Sequence, residues 1–142
     1  MKYITRSNQE TRQVAENLAK QFSSGVIALS GDLGAGKTTF TQGFAKALGI
    51  GDKIISPTFV LIRQHQIPNT KKFLYHIDLY RLDHISDLKS LGIDEMISEG
   101  DNLVIIEWAE KIKHLLPKDI VWINIEKTDQ NSRLISISKD PN

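Results

Sequence analysis

Apolar residues recur along the chain with two different spacings, which together predict both strands and helices. Residues 26–29 (VIAL) and 103–106 (LVII) are short runs without a polar residue, typical of strands buried on both faces of a sheet. After the first run, apolar residues recur at helical spacing over residues 40–48, and Gly49 stands where a helix C-cap belongs. This part of the chain therefore predicts a strand, a loop and a helix in succession.

Another helix is predicted before the first buried strand. Ser7 and Glu10 have the spacing of a capping box, in which a hydroxyl and a carboxylate satisfy the first backbone N–H groups of a helix. Thr11 lies on the first turn of this helix, and we expect the helix to end near residues 23–25. The apolar residues that mark one of its faces are Val14, Leu18 and Phe22.

Two pairs of β-rich segments predict antiparallel hairpins. Residues 59–65 (FVLIRQH) and 73–79 (FLYHIDL) are separated by a turn-forming stretch that contains Pro68. Residues 120–125 and 134–137 alternate, or nearly so, between apolar and polar side chains around a polar turn. We expect the second hairpin to close the sheet with one face in solvent.

Between the two hairpins the pattern is helical but interrupted. It predicts a short helix that ends at Gly92, a second around residues 93–97, and a third over residues 109–116, where Pro117 stops it. Together these elements predict one α/β domain over residues 1–142. Its sheet mixes parallel and antiparallel strands, and few helices flank it.

Composition and charge exclude several classes of function and of site. The 142 residues include 18 basic and 17 acidic side chains, a net charge of +1, so no overall field attracts nucleic acid or membrane. The chain has no cysteine, which excludes disulfides, a thiolate nucleophile and a zinc-ribbon site. No apolar run has membrane-spanning length and the first residues lack a signal-peptide core, so we expect a cytoplasmic protein.

The segment GDLGAGKTT, which begins at Gly31, fits the phosphate-binding pattern G-x-x-x-x-G-K-[ST]. Its glycines allow a sharp turn and bring backbone N–H groups close to an oxyanion. Lys37 supplies an ammonium group for the β- and γ-phosphates, and the hydroxyl of Thr38 is a ligand for Mg²⁺. Because a strand precedes the loop and a helix follows it, the sequence predicts a P-loop NTPase-like domain that binds a nucleotide.

A P-loop requires a carboxylate near Mg²⁺, and two acidic residues are candidates. Glu107 follows the buried run at residues 103–106, so it is expected at the edge of the sheet where ligands bind in open α/β folds. Asp78 ends the segment FLYHI, and alternation places it on one face with His76. Which of the two acids acts as the base stays open.

Two further features have both a functional and a structural interpretation, and the histidines have neither. Thr58, in the segment Ser56-Pro57-Thr58, could bring a hydroxyl to the γ-phosphate as in P-loop switch proteins, or the segment could be a rigid entry into the next strand. Trp108 could be a core residue or a lid on the site. The four histidines have no metal-binding spacing and receive no role: His65, His76, His84 and His114.

Taken together, the segments GDLGAGKTTF, SPTF, YHIDLYRL, LGI and VIIEW resemble the TsaE (YjeE) family of small bacterial ATPases over the whole chain. Members of this family are needed to make threonylcarbamoyladenosine on tRNA. The resemblance implies a compact mixed-sheet P-loop domain that hydrolyses ATP with Mg²⁺. It also implies the partners TsaB and TsaD, with tRNA reached only through that complex.

The resemblance also implies roles for individual residues. Mg²⁺ would be held by Thr38 and Glu107, with Asp78 as the second important acid and Trp108 as the neighbour of the metal ligand. Thr11 and Arg133 match family positions near the nucleotide or the partner. The phosphate-binding residues would be Gly34, Ala35, Gly36, Lys37, Thr38 and Thr39, and the catalytic ones Lys37, Asp78 and Glu107.

Two other P-loop functions remain as alternatives, a small-molecule kinase and a GTPase-like switch. A kinase usually has a lid with arginines, and beyond the loop only Arg63, Arg81 and Arg133 are considered for that role. A GTPase would carry D-x-x-G and N-K-x-D motifs, and neither is present. Adenine is therefore the expected base. Without an arginine finger, which contributes a rate factor of about 10³–10⁵, hydrolysis by the chain alone is expected to be slow.

Overall fold

The computed structural model describes residues 1–55, 62–84, 91–98 and 100–139. Within this part of the chain, seven strands form one sheet in the order β1-β7-β6-β2-β5-β4-β3. The four central strands β6, β2, β5 and β4 are parallel, and β3, β7 and β1 pair antiparallel toward the edges. The strands are β1 Lys2–Thr5, β2 Gly25–Ser30, β3 Ile62–Gln66, β4 Phe73–Asp78, β5 Leu103–Glu107, β6 Val121–Lys127 and β7 Arg133–Ser138.

Helices cover both faces of the sheet. The larger apolar cluster lies under α1 and α2 and includes Phe40, Phe44 and Ile105. The cluster on the opposite face includes Ile106 and Ile112. The helices of the described chain are α1 Asn8–Ala19, α2 Lys37–Ala47, α3 Ile93–Ser98 and a 3-10 helix Ala109–Leu115. None of them is long and apolar enough to cross a bilayer.

The predicted helix ends are confirmed at two positions. The hydroxyl of Ser7 caps α1 by accepting the backbone N–H of Glu10 at 3.1 Å. At the end of α2, the N–H of Gly49 donates to the carbonyl of Lys46 at 3.0 Å, and the N–H of Ile50 donates to the carbonyl of Ala45 at 3.1 Å. Gly49 has a φ of +85°, the left-handed conformation that this C-cap requires and that glycine adopts without strain.

Most of the predicted elements are confirmed, including both hairpins, both buried strands and the mixed α/β sheet. The predicted end of the first helix was wrong, because α1 stops at Ala19 and Phe22 packs on the core from the turn that follows. Strand β1 was not predicted. It has four residues, of which only Thr5 is buried, so it lacks an apolar run.

Some predictions fall on residues outside the described part of the chain. These are the segment at residues 56–58 with Thr58, the first three residues of the predicted strand at 59–65, and most of the helix predicted before Gly92.

Candidate functional site

The two acidic residues singled out in the sequence lie side by side at the carboxyl edge of the sheet. Strands β2, β5 and β4 run parallel, so their C-terminal ends meet at one edge. In the strand register, Glu107 is paired with Leu29 on one side and with Asp78 on the other. The P-loop leaves the same edge after Ser30, so the structure brings the phosphate loop and both acids together.

The P-loop turns sharply between β2 and α2. Gly31 has a φ of +138°, and a Cβ on it would lie 2.3 Å from the carbonyl oxygen of Ile125. Gly36 has a φ of +111° and immediately precedes the first residue of α2. The loop therefore depends on glycine at its entry for space. At its exit, the helix N-terminus presents unpaired backbone N–H groups and a partial positive charge, both favourable for a phosphate.

Lys37 is buried at the base of the loop. Its ammonium group donates to the carbonyl of Gly31 and, at 2.9 Å, to that of Asp32, and it lies 3.9 Å from the ring centroid of Trp108. Burial lowers the pKa of Lys37 below its ordinary value, and nearby carboxylates, led by Glu110, oppose that shift. Backbone carbonyls and an aromatic face hold the cation in this structure, and both are weaker partners than a phosphate.

Thr38 and Glu107 form the candidate metal site. The Thr38 hydroxyl lies 3.0 Å from one carboxylate oxygen of Glu107 and 3.2 Å from the other. Glu107 is buried, and its Oε2 also pairs with Nε2 of His76. Two oxygen groups of the type that Mg²⁺ prefers thus converge beside the P-loop.

The residues present fit Mg²⁺ bound together with a nucleotide. In proteins this ion is commonly held by one or two carboxylates and by substrate phosphates, and it keeps several waters. Among the described residues, no group of three or more His, Cys, Asp or Glu side chains is placed to hold a metal ion.

Asp78 lies at the end of β4, next to the candidate metal site. One of its carboxylate oxygens accepts the backbone N–H of Tyr80 at 2.9 Å. The predicted alternation is confirmed, since Ile77 and Leu79 pack in the cluster on the other face of the sheet. Asp78 and Glu107 therefore present their carboxylates on the face where the P-loop lies.

Trp108 lies at the site and also contacts the core. It has a φ of +61°, which is uncommon for a bulky residue, and it is the N-cap of the 3-10 helix. Its ring lies 5.2 Å from that of Tyr80 and packs against the apolar cluster that contains Ile112. The two interpretations of Trp108, core residue and lid, are thus both consistent with its position.

A cavity of about 540 Å³ opens above the P-loop. The predicted residues that line it are Gly34, Gly36, Lys37, Thr38, Thr39, Asp78, Glu107, Trp108 and Arg133. Asn8, Leu33 and Tyr80 also line the cavity and were not predicted as site residues, and Arg81, which lines it too, was considered only for the lid of a kinase. Leu33 is a variable position of the P-loop pattern, and Asn8 reaches the cavity only because the fold brings the start of α1 to this edge.

The three predicted site residues Arg133, Ala35 and Thr11 have different positions: one contacts the loop, one belongs to it, and one lies away from it. Arg133 donates from Nε to the carbonyl of Ala35 at 2.9 Å and from Nη2 to that of Gly34 at 3.5 Å, so it braces the P-loop from β7. Ala35 is buried behind the loop. Thr11 is buried on α1, where its hydroxyl shares a 2.8 Å hydrogen bond with that of Thr5, outside the cavity lining.

His76 is the residue at the site to which sequence reasoning gave no role. It is fully buried on β4, and its Nε2 contacts the carboxylate of Glu107. Its place in the predicted strand, two residues before Asp78 on the same face, was the available signal. Strand alternation alone could not show that the neighbouring strand places Glu107 within reach.

Comparisons with known proteins assign the chain to a family. The family model for "Threonylcarbamoyl adenosine biosynthesis protein TsaE" matches residues 5–135. The tRNA threonylcarbamoyladenosine biosynthesis protein TsaE of Rickettsia felis is 40% identical over 136 residues, covering 94% of this chain and 77% of the relative. The protein of the same name from Bacillus subtilis is 38% identical over 142 residues, covering 97% of this chain and 85% of the relative.

A solved structure extends the comparison to three dimensions. The crystal structure of YdiB from Bacillus subtilis matches with a TM-score of 0.78 and 34% sequence identity, over 96% of this chain and 83% of that chain. A TM-score of this size over most of both chains shows that the two proteins share their fold. With the family model matching most of its length, this chain belongs to the TsaE family of threonylcarbamoyladenosine biosynthesis proteins.

Proposed function

We propose that this chain binds ATP with Mg²⁺ at the P-loop and hydrolyses it, in support of threonylcarbamoyladenosine modification of tRNA. The single observation that carries the proposal is the approach of the Thr38 hydroxyl to the Glu107 carboxylate, at 3.0 and 3.2 Å, beside an intact P-loop. In P-loop ATPases, this pairing of a loop hydroxyl with a strand-end carboxylate is the arrangement that holds Mg²⁺.

Phosphate binding is supported by the start of α2 and by Lys37. The backbone N–H groups at the helix N-terminus favour an anion, and the ammonium group lies at the base of the same loop. When a nucleotide binds, we expect Lys37 to exchange the carbonyls of Gly31 and Asp32 for phosphate oxygens. The exchange is favourable because a charge-assisted hydrogen bond is about twice as strong as one between neutral groups.

The metal would be held by Thr38 and Glu107 with the phosphates of the nucleotide. The chemistry that Mg²⁺ supplies when bound is neutralisation of the charge that develops on the transferred phosphoryl group. Glu107 contributes a buried carboxylate, and Thr38 contributes an oxygen from the first turn of α2.

Asp78 is proposed to place the attacking water or to support the metal through a water molecule. It is paired with Glu107 in the strand register and lines the cavity. One oxygen is engaged by the backbone N–H of Tyr80, which holds the carboxylate at the rim of the site. Catalysis at such sites comes from positioning and charge stabilisation, so a fixed carboxylate at this point is suited to orienting water.

We further propose that the chain acts on TsaB and TsaD, and that tRNA is reached only through that complex. Support comes from the relatives, whose names place them in tRNA threonylcarbamoyladenosine biosynthesis. The site is also consistent with slow hydrolysis. Arg133 is hydrogen-bonded to the carbonyls of Gly34 and Ala35, so in this structure it is not positioned as an arginine finger on the γ-phosphate. A partner that adds positive charge or orders the cavity rim would increase turnover.

The test is phosphate release from ATP and from GTP with Mg²⁺, without an acceptor, for the chain alone and with TsaB and TsaD. We expect slow release that favours ATP and rises with both partners. A small-molecule kinase would need an acceptor to release ADP, and a GTPase would favour GTP. Either of those results would replace the proposed function.

A further inference from the structure

His76 contacts the candidate metal ligand from inside the protein. Its side chain is fully buried, and Nε2 forms a hydrogen bond with Oε2 of Glu107 on the adjacent strand. The Thr38 hydroxyl approaches the same carboxylate from the cavity side. Glu107 is thus held between a residue of the P-loop helix and a residue of the sheet interior.

We propose that His76 is a positioning residue, which donates from Nε2 to fix the orientation of the Glu107 carboxylate toward Thr38 and the metal. This inference rests on the proposed Mg²⁺ site. It adds a residue behind that site to which the proposed chemistry gives no role. Residues that hold a metal ligand in place commonly change metal affinity by about 10–100-fold when mutated.

The two contacts of the Glu107 carboxylate differ in what they can fix. The Thr38 hydroxyl lies 3.0 Å from Oε1 and 3.2 Å from Oε2, so it scarcely distinguishes the two oxygens. His76 contacts Oε2 alone. Among the described residues, the histidine is therefore the group that sets the rotation of the carboxylate and leaves Oε1 available on the side of Thr38.

The other ring nitrogen of His76 supports this assignment. Nδ1 is buried and has no hydrogen-bond partner within the described part of the chain. A hydrogen on Nδ1 would have no acceptor in the parts of the chain that the structure describes, whereas a hydrogen on Nε2 can be donated to the Glu107 carboxylate, so the geometry favours the ring with its hydrogen on Nε2. Among the described residues, Glu107 is the hydrogen-bond partner of the buried ring. An apolar side chain at this position would avoid the cost of burying an unpaired nitrogen, so the contact with Glu107 is what a histidine adds here.

The chain contains a matched control in His65. This histidine is also buried, and its Nδ1 lies 3.0 Å from Oδ2 of Asp52. Its Nε2 likewise has no partner among the described residues. His65 is on β3, and its acidic partner is a surface aspartate that does not line the cavity. The two residues share burial and chemistry but differ in their link to the metal site.

The test compares two substitutions of His76 whose side-chain amides extend to different distances from the backbone. Gln extends its amide to the position of Nε2, whereas the shorter Asn reaches only the position of Nδ1. The affinity of Mn²⁺, used in place of Mg²⁺, would be measured by electron paramagnetic resonance in the presence of ADP. We expect His76→Asn to weaken Mn²⁺ binding about tenfold or more and His76→Gln to stay within about twofold of wild type.

Two controls separate positioning from a general loss of structure. His65→Asn is expected to leave Mn²⁺ affinity unchanged, and the metal-free affinity for ADP should be unchanged in all variants. Equal Mn²⁺ affinity in His76→Asn and wild type would overturn the inference, as would a parallel loss of metal-free ADP binding. If wild type binds ADP but shows no ADP-dependent Mn²⁺ site, the proposed metal site itself fails, and the inference fails with it.

A measurement on the wild-type protein does not depend on how the variants fold. Nitrogen-15 NMR of the histidine ring reports which nitrogen carries the hydrogen. We expect His76 to have its hydrogen on Nε2, donated to Glu107, with Nδ1 bare. Finding the hydrogen on Nδ1 alone would overturn the inference, because that form cannot donate to the carboxylate.

Discussion

The ammonium group of Lys37 lies 3.9 Å from the ring centroid of Trp108, so the proposed phosphate-binding cation contacts the residue that follows the proposed metal ligand Glu107. The ring of Trp108 in turn lies 5.2 Å from that of Tyr80, a partly exposed residue at the rim of the cavity. Movement of Lys37 toward a phosphate would remove a contact from Trp108. If a nucleotide binds at the P-loop as proposed, the contacts of Trp108 with Lys37 and Tyr80 would link the site to the protein surface.

Trp108→Leu should separate nucleotide binding from coupling to partners. The substitution keeps an apolar side chain over the core but removes the aromatic face, whose attraction for a cation is about 0.5–2 kcal/mol. We expect ATP affinity to change by less than about tenfold, while the stimulation of phosphate release by TsaB and TsaD is lost. Stimulation equal to that of wild type would show that Trp108 does not transmit the nucleotide state.

Lys37→Ala should abolish tight nucleotide binding without unfolding the chain. Hydrogen bonds to charged groups contribute about 1.5–3 kcal/mol each, so the loss in ATP affinity should be at least about tenfold. The measurement is equilibrium titration with ATP, and circular dichroism checks the fold.

The matched control for Lys37→Ala is Lys46→Ala, on the same helix. The Lys46 side chain is 77% exposed and pairs with Glu16 at 3.4 Å, away from the loop. Its removal should leave ATP affinity unchanged. Wild-type affinity in Lys37→Ala, or equal losses in the two variants, would contradict the assignment of the P-loop.

Glu107→Ala and Asp78→Asn should have different defects. Glu107→Ala removes a proposed metal ligand, so Mg²⁺ dependence and affinity should be lost together. Asp78→Asn keeps an oxygen that can accept the N–H of Tyr80, so the turn is preserved while the charge is removed. We expect that variant to bind ATP with Mg²⁺ normally and to lose turnover. A magnesium titration of binding and of phosphate release distinguishes the two, and equal binding defects would refute this division of roles.

Gly31→Ala should damage the entry of the P-loop. The new Cβ would lie 2.3 Å from the carbonyl oxygen of Ile125, and the φ of +138° is strained for any residue with a side chain. We expect a loss of about 1–3 kcal/mol in the free energy of unfolding, measured by urea denaturation, with weakened ATP binding.

Gly51→Ala is the control for the glycine substitution, since a Cβ at Gly51 would meet no atom within 4 Å. Its free energy of unfolding should stay within about 0.5 kcal/mol of wild type. Unchanged stability and ATP binding in Gly31→Ala would show that the loop accommodates a side chain at this position, contrary to the prediction.

Local signals in the sequence were sufficient for most of the fold. Buried strands such as β5 are marked by continuous apolar runs, and helix ends are marked by residues such as Ser7 and Gly49. Strand β1 lacks such a signal, because it is held by backbone pairing with β7, about 130 residues away in the chain. Pairing over that distance depends on the assembled sheet and leaves no local pattern.

The candidate site was predictable where a motif specifies the chemistry, as for Lys37, Thr38 and Glu107. The site was less predictable where tertiary contacts determine which side chains reach the cavity. Asn8 lines the cavity, whereas Thr11, one turn later on the same helix, is turned toward Thr5. His76 became relevant only once the register of two strands placed it against Glu107.

The central claim is that Mg²⁺ and ATP bind at the P-loop with Thr38 and Glu107 as the metal ligands. The most direct test is a crystal structure of the chain with Mg²⁺ and a non-hydrolysable ATP analogue. The account predicts phosphates against the N-terminus of α2, Lys37 moved from the carbonyl of Asp32 to a phosphate oxygen, and Mg²⁺ held by Thr38 and by Glu107 directly or through water. A nucleotide bound elsewhere, or a metal held without contact to Glu107, would contradict it.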